Sequence, residues 1–468
     1  FGIYELLSGS YLALVVQSVP VIQTKDIEFR KVSKMVVIPL FKQGKTLNEA
    51  RQRDEDKYLE LLHQAFTTHT FYFSFTHDVT HTFQRLAKMT QQQLAQPIWA
   101  RADRRFFWNR ALAEDFLRGG LGSWVVPVID GFIRVEQAVL GGHAFTLCII
   151  SRRGCLRSGA RFHARGADPL GNVANFVETE QLVMYSGHTS SFVQIRGSIP
   201  LLWTQRGKNL KDIKPTPVVL NSLLQRVAFK RHMDDVTRLY GGVVVVSLID
   251  HTGSEQAIGE AFELHMRLIC GQCRYVAYDF HDNCKGNRYE NLDTLLGLLR
   301  EDLARYGHFV SDPTGTVVRG QSGVVRTNCV DCLDRTNVVQ SVFSRHMLMS
   351  QLQSVGVLAR AGTAISNGLN WLISVIDFDL GLMDPIVDTV YKNIWADNAD
   401  VLSMRYTGTG ALKTDYTRTG KRSVKVCVHC VVMLLLLTFI VGCNGRRHEV
   451  GHALCAQKLQ RPTAPGIH

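Results

Sequence analysis

The sequence predicts an α/β protein, α+β when taken whole, with a β-rich amino-terminal part packed on an α/β second part. Three observations lead there. Short apolar runs divided by Gly, Asn and charged turns fill residues 1–178. From residue 179, buried-strand runs alternate with amphipathic segments of helix length. Near residue 329, a strand-like piece passes through a tight loop into a helix-like piece. A chain of 468 residues is also too long for one simple core, and two or three domains are expected.

Taken in order, Tyr11–Val16 and Met35–Leu40 read as strands, and Asp54–Phe66 as a helix. Phe106–Phe116 reads as a second helix, and Val125–Ile129 and Phe145–Ile150 as further strands. Together they make a first subdomain over 1–178. In the second subdomain, 179–423, Val243–Ile249 and Tyr275–Phe280 look like buried strands. Each is followed by a helical segment, Glu255–Ile269 and Tyr289–Tyr306. Sheets built this way hold ligands beyond the carboxyl ends of their strands. Val324 and Val325 form such a strand, and Val338, Val339, Val342, Phe343, Met347 and Leu348 recur near the helical period after it. The loop starting at Cys329 then falls at a strand end and a helix start.

Residues 424–468 form a third, divergent part. Its stretch 426–442 is strongly apolar, carries His429 and is followed by Arg446 and Arg447. It is slightly short of the roughly 20 apolar residues that cross a bilayer. It is a candidate membrane segment, with a buried tail as the other reading.

The formal net charge of +12 favours anionic partners, either phosphorylated ligands or acidic lipid surfaces. No long Lys/Arg run or basic aromatic stripe points to nucleic acid. Eleven cysteines in 468 residues are too sparse for a disulfide framework, so a reducing compartment is expected.

The chemistry concentrates in Arg326-Thr327-Asn328-Cys329-Val330-Asp331-Cys332-Leu333-Asp334-Arg335-Thr336-Asn337. A tight loop at a helix N-terminus gathers free N–H groups and the positive end of the helix dipole, which suits an anion. A thiolate at its floor and a guanidinium at its rim can attack phosphorus. Cys329 is then the nucleophile, with its pKa lowered by the helix and by arginine. Arg335 grips two phosphoryl oxygens and follows the charge into the transition state. Thr336 is placed to steady the thiolate or the attacking water. The loop residues Asn328, Val330, Cys332, Leu333 and Asp334 complete the phosphate cradle.

A leaving alkoxide needs a proton donor. Asp331 is the first choice, and Asp334 then orients Arg335 or caps the helix. The bland reading makes both carboxylates shapers of the loop. Cys329 and Cys332 also form a C-x-x-C pair. A zinc site would need a second pair, and Cys427/Cys430, at the comparable spacing, lies inside an apolar stretch. His448-Glu449-Val450-Gly451-His452 fits HExxH but lies in a basic tail with a glycine inside it. No metal is therefore expected. Cysteine and arginine at this spacing also fit a phosphatase of phosphoproteins, and a binding scaffold without turnover is a further alternative.

The string RTNCVDCLDRTN resembles the active loop of the Sac-domain phosphoinositide phosphatases. Further agreement comes from Phe71–Ser74, Asp78–Thr80, Arg101–Asp103, Asn172–Gln181 and Arg196–Pro200. Asp279–His281, Trp395–Asn398 and Tyr406–Arg422 continue it, so the likeness runs from Phe1 to about Arg422. Residues 362–386 and the tail depart from it. The resemblance is strongest to the membrane-anchored members of the endoplasmic reticulum and Golgi. It implies an amino-terminal Sac subdomain on a catalytic α/β subdomain with a Cys-x5-Arg loop, and a cytosol-facing enzyme that needs no cofactor. The implied substrates are phosphatidylinositol 4-phosphate and also the 3-phosphate, held in an anionic membrane surface. Cys329 maps to the nucleophile and Arg335 to the phosphate-binding arginine.

Overall fold

The computed structural model describes residues 1–418 except 24–26, 42–44, 162, 206–217, 220–222, 272, 359–383 and 415–417. The candidate membrane segment 426–442, Cys427/Cys430, the HExxH string and most of 362–386 lie outside the described residues.

A mixed sheet of 13 strands is the frame. Its first eight strands lie in chain order: β1 (Gly2–Glu5), β2 (Ser10–Gln23), β3 (Glu28–Pro39), β4 (Phe71–Phe73), β5 (Val128–Leu140), β6 (His143–Arg153), β7 (Val177–Tyr185) and β8 (His188–Arg196). All pair antiparallel. The tight β5–β6 and β7–β8 turns need positive φ, which Gly141 and Gly142 supply at +58° and +84°, and Ser186 and Gly187 at +49° and +82°. The short strands β9 (Trp203–Thr204) and β10 (Val218–Val219) make a separate ribbon. Beyond β8 the sheet turns parallel through β11 (Gly242–Ser247), β12 (Arg274–Ala277) and β15 (Gly323–Asn328), in the spatial order β8-β15-β11-β12. β13 (Phe309–Ser311) pairs with the opening half of β8 and carries β14 (Val317–Arg319).

The four central residues of β11, Val243–Val246, are β-branched and apolar, as suits a strand covered on both faces. Alternate valines serve opposite faces. Val244, Val246 and Val325 pack on the helices Leu292–Tyr306 and Asp334–Val355, through Leu295, Leu299, Leu303, Val339 and Phe343. Val243, Val245 and Val324 pack on Leu223–Tyr240 and Gln256–Ile269, through Phe229, Met233, Phe262 and Met266. The last described helix, Pro385–Thr407, returns over the antiparallel half, where Tyr391, Ile394 and Trp395 meet Ile149 and Val183.

Two expectations are corrected. Residues 106–116 form turns, with only the short helix Glu114–Arg118 at their end. The Trp108 N–H donates to the Val128 carbonyl, and the Asn109 side chain joins the Val126 carbonyl and the Val128 N–H, so strand β5 claims this segment. The strand expected over Tyr275–Phe280 ends at Ala277, because Asp279 caps a short helix from Phe280 by accepting the Asp282 N–H.

Candidate active site

β11 and β15 leave the sheet side by side. Ser247 registers with Asn328, the Leu248 N–H donates to the Asn328 carbonyl at 2.8 Å, and the Asn328 amide donates to Ser247 Oγ at 3.1 Å. Asn328 thus fastens the strand ends together beneath the loop. Residues 329–333 turn there, and the long helix starts at Asp334.

Cys329 is 2% exposed, at the floor of that turn. Cys332 takes a left-handed φ of +54°, which brings its N–H to Cys329 Sγ at 2.9 Å. Thr336 Oγ1 donates to the same sulfur at 3.4 Å. Burial opposes ionisation of Cys329, but the hydrogen bond with Cys332, the Arg335 charge and the Thr336 hydroxyl outweigh it and lower the thiol. Cys332 goes the other way. Burial and its neighbour Cys329 push it well above the usual thiol value, and it donates to the Gly197 carbonyl at 3.0 Å. The surroundings thus favour ionisation at Cys329 and oppose it at Cys332. Val330 and Leu333 bury their side chains.

Arg335 lies in the first turn of the helix. Its Nη1 donates to the Leu248 carbonyl at 2.9 Å, to Asp250 Oδ1 at 3.1 Å and to Glu255 Oε2 at 2.9 Å. Its Nη2 donates to Glu255 Oε1 at 2.8 Å. These partners all come from the segment that follows β11.

The two aspartates stand in different surroundings. Asp331 is held by Arg161 at 2.7 Å and Arg165 at 2.6 Å. Burial would raise its pKa, but the two guanidinium groups hold it below the usual carboxylate value. A carboxylate paired in this way holds a proton less readily than an unpaired one. Asp334 is raised by burial, against the Lys413 N–H that reaches it at 3.2 Å and the Lys413 charge. Of the two, Asp334 is the better placed to hold a proton.

Further support was not evident in the sequence. The Asn175 amide donates to the Asp331 carbonyl at 2.8 Å, and Arg165 Nη1 donates to the Val330 carbonyl at 3.0 Å. Below the loop lie two fully buried cations. Arg326 donates to the Ser198 carbonyl at 2.8 Å and to His232 Nε2 at 3.0 Å. Arg196 reaches Asn337 at 3.4 Å, while its Nε and Nη1 meet no hydrogen-bond partner among the described residues. Asp279 serves as a helix cap, whereas His281 bonds Asp250 at 2.8 Å and so joins the Arg335 network. The Lys413 ammonium lies 4.4 Å and 5.1 Å from the ring centres of Phe280 and Tyr289. Arg418 pairs with Asp397 and Asp400. Among the described residues no group of three or more His, Cys, Asp or Glu is placed to hold a metal ion.

The family model of the SacI homology domain matches residues 1–285. The phosphatidylinositol-3-phosphatase SAC1-B of Danio rerio is 38% identical over 424 residues, covering 90% of this chain and 69% of that protein. SAC1 of Saccharomyces cerevisiae, of the same description, is 38% identical over 397 residues, 80% of this chain and 59% of that one. The phosphoinositide phosphatase SAC6 of Arabidopsis thaliana is 36% identical over 429 residues, 91% of this chain and 69% of its own. The strand-to-helix turn around Cys329 thus sits within a likeness that spans most of the chain, and this protein belongs to the SacI homology domain family.

Proposed function

We propose that this protein is a phosphoinositide phosphatase that converts phosphatidylinositol 4-phosphate, and also the 3-phosphate, to phosphatidylinositol through a cysteinyl-phosphate. The observation that carries the reading is the buried Cys329 sulfur, which accepts from the Cys332 N–H and the Thr336 hydroxyl beside the Arg335 charge. The named relatives supply the substrate class.

In the first step the Cys329 thiolate attacks phosphorus. An S–P bond forms, the P–O bond to the inositol ring breaks, and Asp334 gives its proton to the leaving oxygen. In the second step water attacks phosphorus, the S–P bond breaks, and Asp334 takes the water's proton. Inorganic phosphate leaves and the thiolate is restored. Arg335 balances charge on the phosphoryl oxygens in both steps. The net charge of +12 suits work at an anionic bilayer, at the cytosolic face of endoplasmic reticulum and Golgi membranes. No described helix is long and apolar enough to cross a membrane.

The test is phosphate release from short-chain phosphatidylinositol 4-phosphate, with a phosphotyrosine peptide as the competing substrate. Release from the lipid, unaffected by a chelator and abolished by Cys329→Ser, is expected. Preference for the peptide would move the reading to a protein phosphatase. Lipid binding without release would make the protein a scaffold.

A further inference from the structure

Arg335 has five N–H bonds. Two sit on Nη1, where Leu248, Asp250 and Glu255 share them at 2.9, 3.1 and 2.9 Å. One on Nη2 goes to the second oxygen of Glu255 at 2.8 Å. The end of the fork is therefore fully engaged, and bidentately by one carboxylate. The Nε–H and the other Nη2–H have no partner among the described residues. They lie on one edge of the planar guanidinium, at the spacing that matches two oxygens of a phosphoryl group.

Acidic side chains beside a phosphate site are at first sight unfavourable, since like charges repel in a partly dry setting. Their placement resolves this. Glu255 is 15% exposed in its side chain and spends both oxygens on Arg335, and Asp250 adds a third contact. We propose that Glu255, assisted by Asp250, is a positioning residue that fixes one edge of Arg335 so that the Nε–Nη2 edge is presented to the phosphoryl oxygens. This rests on the phosphatase reading and deepens it. An unheld arginine would spread over several rotamers and lose that edge-on approach. The segment from Leu248 to Glu255 becomes part of the phosphate grip although none of its side chains need touch the substrate.

The experiment uses the full chain with short-chain phosphatidylinositol 4-phosphate, and orthovanadate as a probe of oxyanion binding. Glu255→Gln keeps the shape and loses the charge. It is expected to lower kcat/KM on the order of 100-fold and to weaken vanadate inhibition in parallel. In an Arg335→Lys background the same change is expected to cost less than about twofold, because its effect passes through the fork. An equal loss in both backgrounds would make Glu255 a merely structural residue and overturn the proposal. Thermal unfolding monitors folding throughout. If Glu255→Gln does not fold, Asp250→Asn takes its place, with a smaller loss expected and again less than about twofold in the lysine background. A wild-type chain that releases no phosphate counts against the phosphatase reading. Unchanged kinetics in Glu255→Gln beside an active wild type and an inactive Cys329→Ser count against Glu255 alone.

Discussion

In the proposed reaction Cys329 is the nucleophile, and its environment predicts its titration. The balance of burial, the Cys332 contact, the Arg335 charge and the Thr336 hydroxyl lowers its pKa to about 6. A lowered thiol is ionised above that pH and protonated below it. Alkylation of Cys329 by iodoacetamide should therefore rise as pH passes about 6 rather than near the ordinary thiol value of about 8.5. A midpoint near the ordinary value would contradict the hydrogen-bond geometry. The aspartates give a second contrast. Asp334→Asn should slow the lipid substrate by roughly 10²- to 10⁴-fold but spare an aryl phosphate, whose leaving group needs no proton. Asp331→Asn instead breaks two ion pairs, to Arg161 and Arg165, and should lower the melting temperature while retaining that leaving-group response. The sequence could suggest that one carboxylate must turn away. It could not say which, because Arg161 and Arg165 sit some 165 positions from the loop and only the folded chain brings them to Asp331.

At the level of elements, the valine runs of β11 and β15 and the apolar period after Asn337 were legible, and they fixed the strand-loop-helix that carries Cys329. The segment Phe106–Phe116 was not, since its apolar spacing suits a helix while Asn109 and Trp108 are recruited by β5. Glu255 was read only as the start of a helix. Its role as a partner of Arg335 arises from the parallel neighbours β11 and β15, which sequence separation hides. The helix Asp334–Val355 is held by Phe343, which is 0% exposed in the same cluster as Cys329 and Val325. Phe343→Ala should cost about 3–5 kcal/mol in urea unfolding and reduce activity through a loosened loop. A loss below about 1 kcal/mol would mean that this helix is anchored elsewhere.

For the whole molecule, the continuous sheet joins the antiparallel strands to the parallel ones through β8, whose end carries Arg196 beneath the loop. The net charge of +12 is a property of the entire surface, and its consequence is ionic-strength dependence. Turnover of phosphatidylinositol 4-phosphate in vesicles rich in phosphatidylserine should fall as salt rises, whereas turnover of a soluble short-chain substrate should change little. Equal salt dependence on both would place the attraction in the site rather than in the surface. The central claim, that Cys329 carries the phosphoryl group, is tested most directly by rapid quenching with phosphate-labelled phosphatidylinositol 4-phosphate and mapping of the labelled peptide. The account predicts label that survives an alkaline quench but is lost in mild acid, on the peptide that contains Cys329, and none in Cys329→Ser. Label on another residue, or turnover that persists in Cys329→Ser, would contradict it.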